Sequence, residues 1–217
     1  MEYLEIRKQI IEACLWLQEK ELVIGTWGNV SVRLDETRIM MTPSKMDYNI
    51  MKPEDLVIVG MDGNRLEGTH SATSEMDVHR LIYAQRKDVG SVVHCHSVYA
   101  SAMCASGRGI PPILEEMSQM IGGEIPITET YINAGSHVPL GLAAAKTLQD
   151  KNAVLLRNHG PVSVGRDLKE ALICCQVVEK AAKCYLALCA GQTPELIPDN
   201  MVQSERKRFL YQYGHEH

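Results

Sequence analysis

No excess of basic residues marks this 217-residue chain: 22 Lys and Arg stand against 27 Asp and Glu, a net charge of −5. Without a basic stripe, the electrostatic footprint that nucleic-acid binding requires is missing. No apolar run approaches the ~18 residues that a membrane-crossing helix needs, so no membrane role is expected. The N-terminus, Met1-Glu2-Tyr3-Leu4-Glu5-Ile6, carries acidic residues and no signal-peptide pattern. The seven cysteines contain no C-x-x-C pair and their number is odd. Free thiols in a reducing cytoplasm account for them better than a disulfide framework does. No internal repeat, low-complexity segment or linker is visible, and the length suits a single domain over residues 1–217. What is present is ordinary for a soluble globular protein, 45% hydrophobic and 23% charged. An anionic substrate would therefore need a local electropositive pocket.

Periodicity predicts a helix over 3–20, where Ile6, Ile10, Ala13 and Leu17 form a stripe. Strands are expected at 38–41 and 56–59, the second ending in the Asp62-Gly63 hairpin signal. A helix is expected over 71–85, with Thr73 or Ser74 as its N-cap and Glu75 in its first turn. Further helices are expected at 99–105, 139–149 and 167–190, and short strands at 125–127, 131–132 and 153–156. The tail from Arg206 onward reads as a frayed terminus.

Chemistry concentrates in Ser91-Val92-Val93-His94-Cys95-His96-Ser97. Valines lead into it, so it reads as a buried strand. Side chains two apart on a strand share a face, which sets His94 and His96 side by side and turns Cys95 into the core. Two such imidazoles suit a divalent transition metal, and zinc takes them at about 2.0–2.1 Å. Glu75 upstream and His159 in Arg157-Asn158-His159-Gly160 are the further candidate ligands. His79 lies four residues after Glu75 and is a rival, but the three other histidines already complete a set, which leaves His79 structural. Gly25 to Val32 reads either as a tight turn into a strand or as a loop whose N–H groups and Asn29 amide meet an anion. Ser44 and Lys45 follow Pro43 at a second turn. Free N–H groups at the helix start after Thr73-Ser74 would suit a phosphate.

Taken together, Gly28-Asn29-Val30-Ser31, Thr42-Pro43-Ser44, Thr73-Ser74-Glu75, His94-Cys95-His96-Ser97 and Arg157-Asn158-His159-Gly160 agree in order and spacing with one family. The chain resembles the class II aldolase/adducin-head family, most closely its L-fuculose-1-phosphate aldolase branch, over nearly its whole length. The resemblance implies a three-layer α/β/α single domain around a mixed, mainly antiparallel sheet, and a C4 homotetramer with interfacial active sites. It implies zinc, or another divalent transition metal, on His94, His96 and His159, with Glu75 as fourth ligand and proton-transfer group. It implies a phosphate site at Gly28, Asn29, Ser44, Lys45, Thr73 and Ser74, although the usual partner of Ser44 is a glycine. The tail tyrosine of the family falls on Tyr213. Its interface tyrosine falls on Glu116, where a dehydratase branch carries an acid/base glutamate, and an aromatic position falls on Ala134. The implied reaction is reversible cleavage of a phosphorylated ketose to dihydroxyacetone phosphate and an aldehyde through an enediolate. Decarboxylase, epimerase and dehydratase chemistries would use the same site. An adducin-like binding module would keep the fold without the metal ligands.

Overall fold

The computed structural model describes residues 1–212. Seven strands form one sheet: β1 (Asn29–Arg33), β2 (Arg38–Met41), β3 (Val57–Gly60), β4 (Arg65–Glu67), β5 (Ser91–His94), β6 (Ala153–Leu155) and β7 (Pro161–Gly165). Their spatial order is β4-β3-β2-β1-β5-β7-β6, and every pairing is antiparallel. Six helices accompany them: α1 (Leu4–Glu19), α2 (Met76–Gln85), α3 (Val98–Ser106), α4 (His137–Leu148), α5 (Leu168–Cys189) and α6 (Asp199–Tyr211).

The period-2 alternation of the strands divides the core. Ile39, Met41, Val57, Val59, Val92, Val154, Val162 and Val164 face one side and pack on α2 and α4. Val30, Met40, Ile58, Val93 and Cys95 face the other and pack on α1 and α5. A third cluster joins α3 and α5 to Ala153 and Leu155. Helices thus cover both faces of the sheet, the three-layer arrangement expected from the resemblance. Cys95 does point into the core between its two histidine neighbours.

Several elements differ from expectation, each for a local reason. The helix expected from residue 71 starts at Met76. Residues 71–73 are held in extended pairing instead: Ser44 N donates to Ser71 O at 2.9 Å and Thr73 N to Thr42 O at 3.1 Å. Glu75 becomes the residue before the helix, and its side chain makes no capping bond. Residues 131–132 are not a strand; the neighbouring Ile125 and Ile127 form only isolated bridges. The chain from Asp199 is a helix rather than a frayed tail. It docks on a π-helical turn, Met117–Ile121, where the Arg206 guanidinium donates to the carbonyls of Gln119 and Met120 at 2.5 and 3.0 Å. Strand β7, not expected from the sequence, begins at a proline directly after the His159 turn.

That turn is pressed against β5. A Cβ on Gly160 would lie 2.5 Å from the Cys95 carbonyl oxygen, 3.2 Å from His94 Cε1 and 3.4 Å from His96 Cδ2. Only glycine lets the two segments approach this closely. Gly160→Ala is expected to cost about 1–3 kcal/mol by overpacking. At roughly 2–4 °C per kcal/mol for a chain of this size, calorimetry should register a clear fall in Tm. An unchanged midpoint would show that the turn relaxes without loss.

Candidate active site

Sheet register and one turn assemble the candidate site. Asn29 on β1 pairs directly with His94 at the end of β5. His96 follows two residues on, and the turn between β6 and β7 delivers His159 beside them. The three rings stand around a common point. Their centroids are 4.8, 4.8 and 5.0 Å apart, and their planes cross at 73°, 79° and 68°. One ring nitrogen from each lies within 4.8 Å of the others, so the trio could hold a metal ion.

The protonation pattern suits that use. His94 Nδ1 lies 2.9 Å from the carbonyl oxygen of Pro161, which can only accept. The proton therefore sits on Nδ1, and the Nε2 lone pair is directed at His96 Nε2, 2.9 Å away. Burial pushes the His94 pKa down to about 3, the Glu75 charge opposing the shift and His159 and His96 adding to it. Burial likewise lowers that of His96. Both rings are neutral at physiological pH, the form that ligates metals.

Glu75 closes the group. Its Oε2 accepts from Asn29 Nδ2 at 2.7 Å and lies 3.3 Å from His94 Nε2; its Oε1 lies 3.0 Å from His159 Nε2. Burial works to raise its carboxyl, but His94, His159 and the Asn29 amide outweigh that and hold it well below the usual carboxylate range. Glu75 is 8% exposed, yet Oε1 has no hydrogen-bond partner of proper geometry. A buried carboxylate oxygen left this way, aimed among three imidazoles, is what a cation would satisfy. The donor set fits a divalent transition metal.

Glu75, His96 and His159, with His94 buried behind them, form the inner end of a cleft of about 410 Å³ that also takes in Trp27, Gly28, Ser44, Lys45, Thr73, Ser74 and Ala134. The bridge between Pro43 and Ala72 brings the two outer segments together. All six residues of the expected phosphate site thus line one cavity. The side chains of Ser44, Lys45 and Ser74 make no hydrogen bond or ion pair among the described residues. Lys45 occupies the left-handed region at φ 59°. A glycine would adopt this conformation freely, whereas Lys45 holds it under strain.

Asn29 is more engaged than its sequence context suggested. Its amide nitrogen is on Glu75 and its carbonyl oxygen on His79 Nε2 at 2.5 Å. His79 in turn has Nδ1 2.6 Å from Ser31 Oγ, so both its nitrogens are occupied away from the metal group. Glu116 is not in the cleft. It is paired with Lys180, which lines a separate groove of about 570 Å³ with Lys20, Tyr99 and Lys183. Tyr213 lies outside the described residues.

Comparison with known proteins gives this arrangement a context. Residues 8–186 match the family model described as Class II Aldolase and Adducin N-terminal domain. A Bacillus thuringiensis protein named 5-deoxy-D-ribulose 1-phosphate aldolase is 30% identical over 206 residues, covering 94% of each chain. One from Methanocaldococcus jannaschii named L-fuculose phosphate aldolase is 32% identical over 180 residues, 83% of this chain and 95% of that one. A Salmonella paratyphi C protein named L-ribulose-5-phosphate 4-epimerase is 30% identical over 223 residues, 97% of this chain and 96% of its own. Among solved structures, one titled L-fuculose 1-phosphate aldolase superposes with a TM-score of 0.91 at 28% identity, over 95% of this chain and 97% of that one. The model match over most of the length, supported by these relatives, shows that the chain belongs to the class II aldolase and adducin N-terminal domain family.

Proposed function

We propose that the protein is a zinc-dependent class II aldolase that reversibly cleaves a phosphorylated ketose, of the L-fuculose 1-phosphate kind, into dihydroxyacetone phosphate and an aldehyde. The observation that supports this most is the composition of one cleft: two imidazoles, backed by a third, and a buried carboxylate at its inner end, unpaired hydroxyls and a lysine at its outer end. His94, His96 and His159 would hold the ion, with Glu75 as displaceable fourth ligand, and the ion when bound supplies Lewis acidity at the substrate carbonyl.

The remaining work falls to the chain's own groups. Asn29 anchors Glu75 through Oε2, which leaves Oε1 as the oxygen able to take or return a proton at the carbon beside the carbonyl. Ser44, Lys45, Thr73, Ser74, the Gly28 backbone and the second amide N–H of Asn29 receive the phosphate, aided by the N-terminus of α2. Glu116 lies outside the cleft of its own chain, so a role for it at the aldehyde half requires a neighbouring subunit, as in the homotetramer that the resemblance implies. The seven free thiols suit a reducing cytoplasm; among the described residues no helix is long and apolar enough to cross a membrane.

A second reading has its own support, because relatives of equal identity carry aldolase and epimerase names. Epimerisation by C–C cleavage and rejoining would need the same groups. Incubating the zinc-loaded protein with phosphorylated ketoses, and resolving products by chromatography before measuring their masses, separates the two. Free dihydroxyacetone phosphate and an aldehyde are expected; an isomer of unchanged mass would make the protein an epimerase. No product from any of them, with zinc bound, would overturn the enzymatic reading.

Two variant sets test the residue roles. His159→Ala should lose most of its bound zinc by elemental analysis, and full occupancy would remove His159 from the ligand set. Glu75→Gln should stay folded and still bind a phosphate ligand while turnover falls ~10²-fold or more; near-normal turnover would place the base elsewhere.

Lys45 offers a test of the phosphate half. Lys45→Gly relieves left-handed strain of roughly 1–2 kcal/mol, against a backbone-entropy cost of about 0.5–1 kcal/mol. The midpoint of unfolding should therefore hold or rise slightly. KM for the phosphorylated ketose should rise roughly tenfold or more, the scale of a charge-assisted hydrogen bond of about 1.5–3 kcal/mol. An unchanged KM would place the ammonium group off the phosphate.

A further inference from the structure

Behind Glu75 runs a line of buried hydrogen bonds that, beyond its first link to Asn29, none of the steps above uses. Glu75, His79 and Tyr83 are spaced four apart at and along α2, and Asn29 and Ser31 two apart on β1. Four helical residues advance about 6.0 Å and two strand residues about 6.6 Å, so the two rows stay in step. They interleave. Tyr83 Oη lies 2.9 Å from Ser31 Oγ, Ser31 Oγ 2.6 Å from His79 Nδ1, His79 Nε2 2.5 Å from Asn29 Oδ1, and Asn29 Nδ2 2.7 Å from Glu75 Oε2. Ser31, His79 and Tyr83 are wholly inaccessible, and the core cluster on this sheet face is built from Ile39, Met41, Val57, Val59, Val92, Val162 and Val164. A polar line through such a core calls for an explanation beyond packing.

Its polarity is fixed from one end. The Glu75 carboxylate has no hydrogen to give, so it faces the N–H of Asn29. That turns the Asn29 carbonyl oxygen toward His79, whose Nε2 must then carry the hydrogen. Nδ1 is left as a lone pair and accepts from the Ser31 hydroxyl. The Ser31 oxygen is free to accept from Tyr83, whose hydroxyl also lies 3.0 Å from the Ser31 carbonyl. Every donor has an acceptor in a single direction. Burial also keeps the ring neutral, pushing its pKa down to about 3, with His94 adding to the shift and Glu75 opposing it.

We propose that His79 is a positioning residue for Glu75: as the neutral Nε2–H tautomer it locks the Asn29 amide, and through it holds Oε2 so that Oε1 alone faces the reacting group. The proposal rests on the reading of Glu75 as the proton-transfer group. It explains why Asn29, 3% exposed beside Glu75, has its amide held on both sides.

The test has two parts. In the full chain labelled with 15N-histidine, long-range 15N–1H spectra should show the His79 ring protonated on Nε2 alone. The signals are assigned by their loss in His79→Gln, and Asn29→Ala should shift the Nε2–H resonance. A ring protonated on Nδ1, or on both nitrogens at neutral pH, would overturn the proposal. This readout needs no turnover, so it stands apart from any failure to find a cleaved ketose. The kinetic part compares two variants. His79→Gln keeps an N–H near the Nε2 position and His79→Leu removes it, while both lose the Ser31 bond. His79→Leu should retain its zinc and its KM within about threefold while kcat falls about 10–100-fold, the usual scale for a residue that orients a ligand. His79→Gln should recover most of kcat even if its Tm is as low as that of the Leu variant. A kcat that follows Tm in both, or an undiminished kcat in His79→Leu, would show a structural role only.

Discussion

The Glu75 carboxylate is the charge around which the centre of the sheet is arranged. An acidic group 8% exposed survives in a core only where its oxygens are met. Asn29 meets one of them from β1, and His94 and His159 stand beside the carboxylate from β5 and the β6–β7 turn. These strands are neighbours in the order β1-β5-β7, so the antiparallel register that pairs Asn29 with His94 also fixes the distance between carboxylate and imidazole. The short extended pairing of residues 71–73 with 42–44 then sets where α2 begins. Had the helix begun earlier, as its capping signals suggest, Glu75 would be a first-turn residue with its direction fixed by the helix.

Legibility in the sequence followed the range of the cause. The His-x-His pair was legible because strand alternation is local, and the same alternation placed Cys95 in the core. Gly160 was legible as part of a motif but not as a close approach, since the crowding atoms belong to β5. The late start of α2 was not legible, because a pairing some thirty residues distant competes with the local cap. Nor was α6. Of its thirteen residues only Val202 is buried; Phe209 packs at the core's edge, and Arg206 and Glu205 hydrogen-bond to the π-helical turn. A helix docked by so few apolar side chains leaves little periodic apolar signal.

The line from Tyr83 to Asn29 was visible in principle as two spacings, 29/31 and 75/79/83. Neither is informative alone, since polar residues two apart on a strand or four apart on a helix are common. They become a device only when a helix lies antiparallel or parallel on a strand, where the two repeats nearly coincide in length. That coincidence is a property of tertiary packing, and it also disposes of His79 as a metal ligand. The residue is close enough in sequence to be a rival, but both its ring nitrogens are bonded elsewhere.

The two ends of the cleft are built on different principles, and this bears on which part of a substrate each can recognise. At the inner end, strands and a glycine-tight turn impose positions that no side-chain rotation can change. The outer end is made of turns, yet the Pro43–Ala72 bridge ties those turns together, and the unusual φ of Lys45 is tolerated within that frame. Beyond them the wall within one chain is thin: Trp27, 68% exposed, stands at the mouth, and Ala134 offers only a methyl group. Between them these two side chains offer a single polar group, the indole N–H of Trp27, to the part of a sugar that carries its stereochemistry. A family whose relatives include both aldolase and epimerase names at equal identity is what this division would produce. The imidazole group and the polar outer end of the cleft are both built by the fold of one chain, whereas Glu116 is directed elsewhere, onto Lys180.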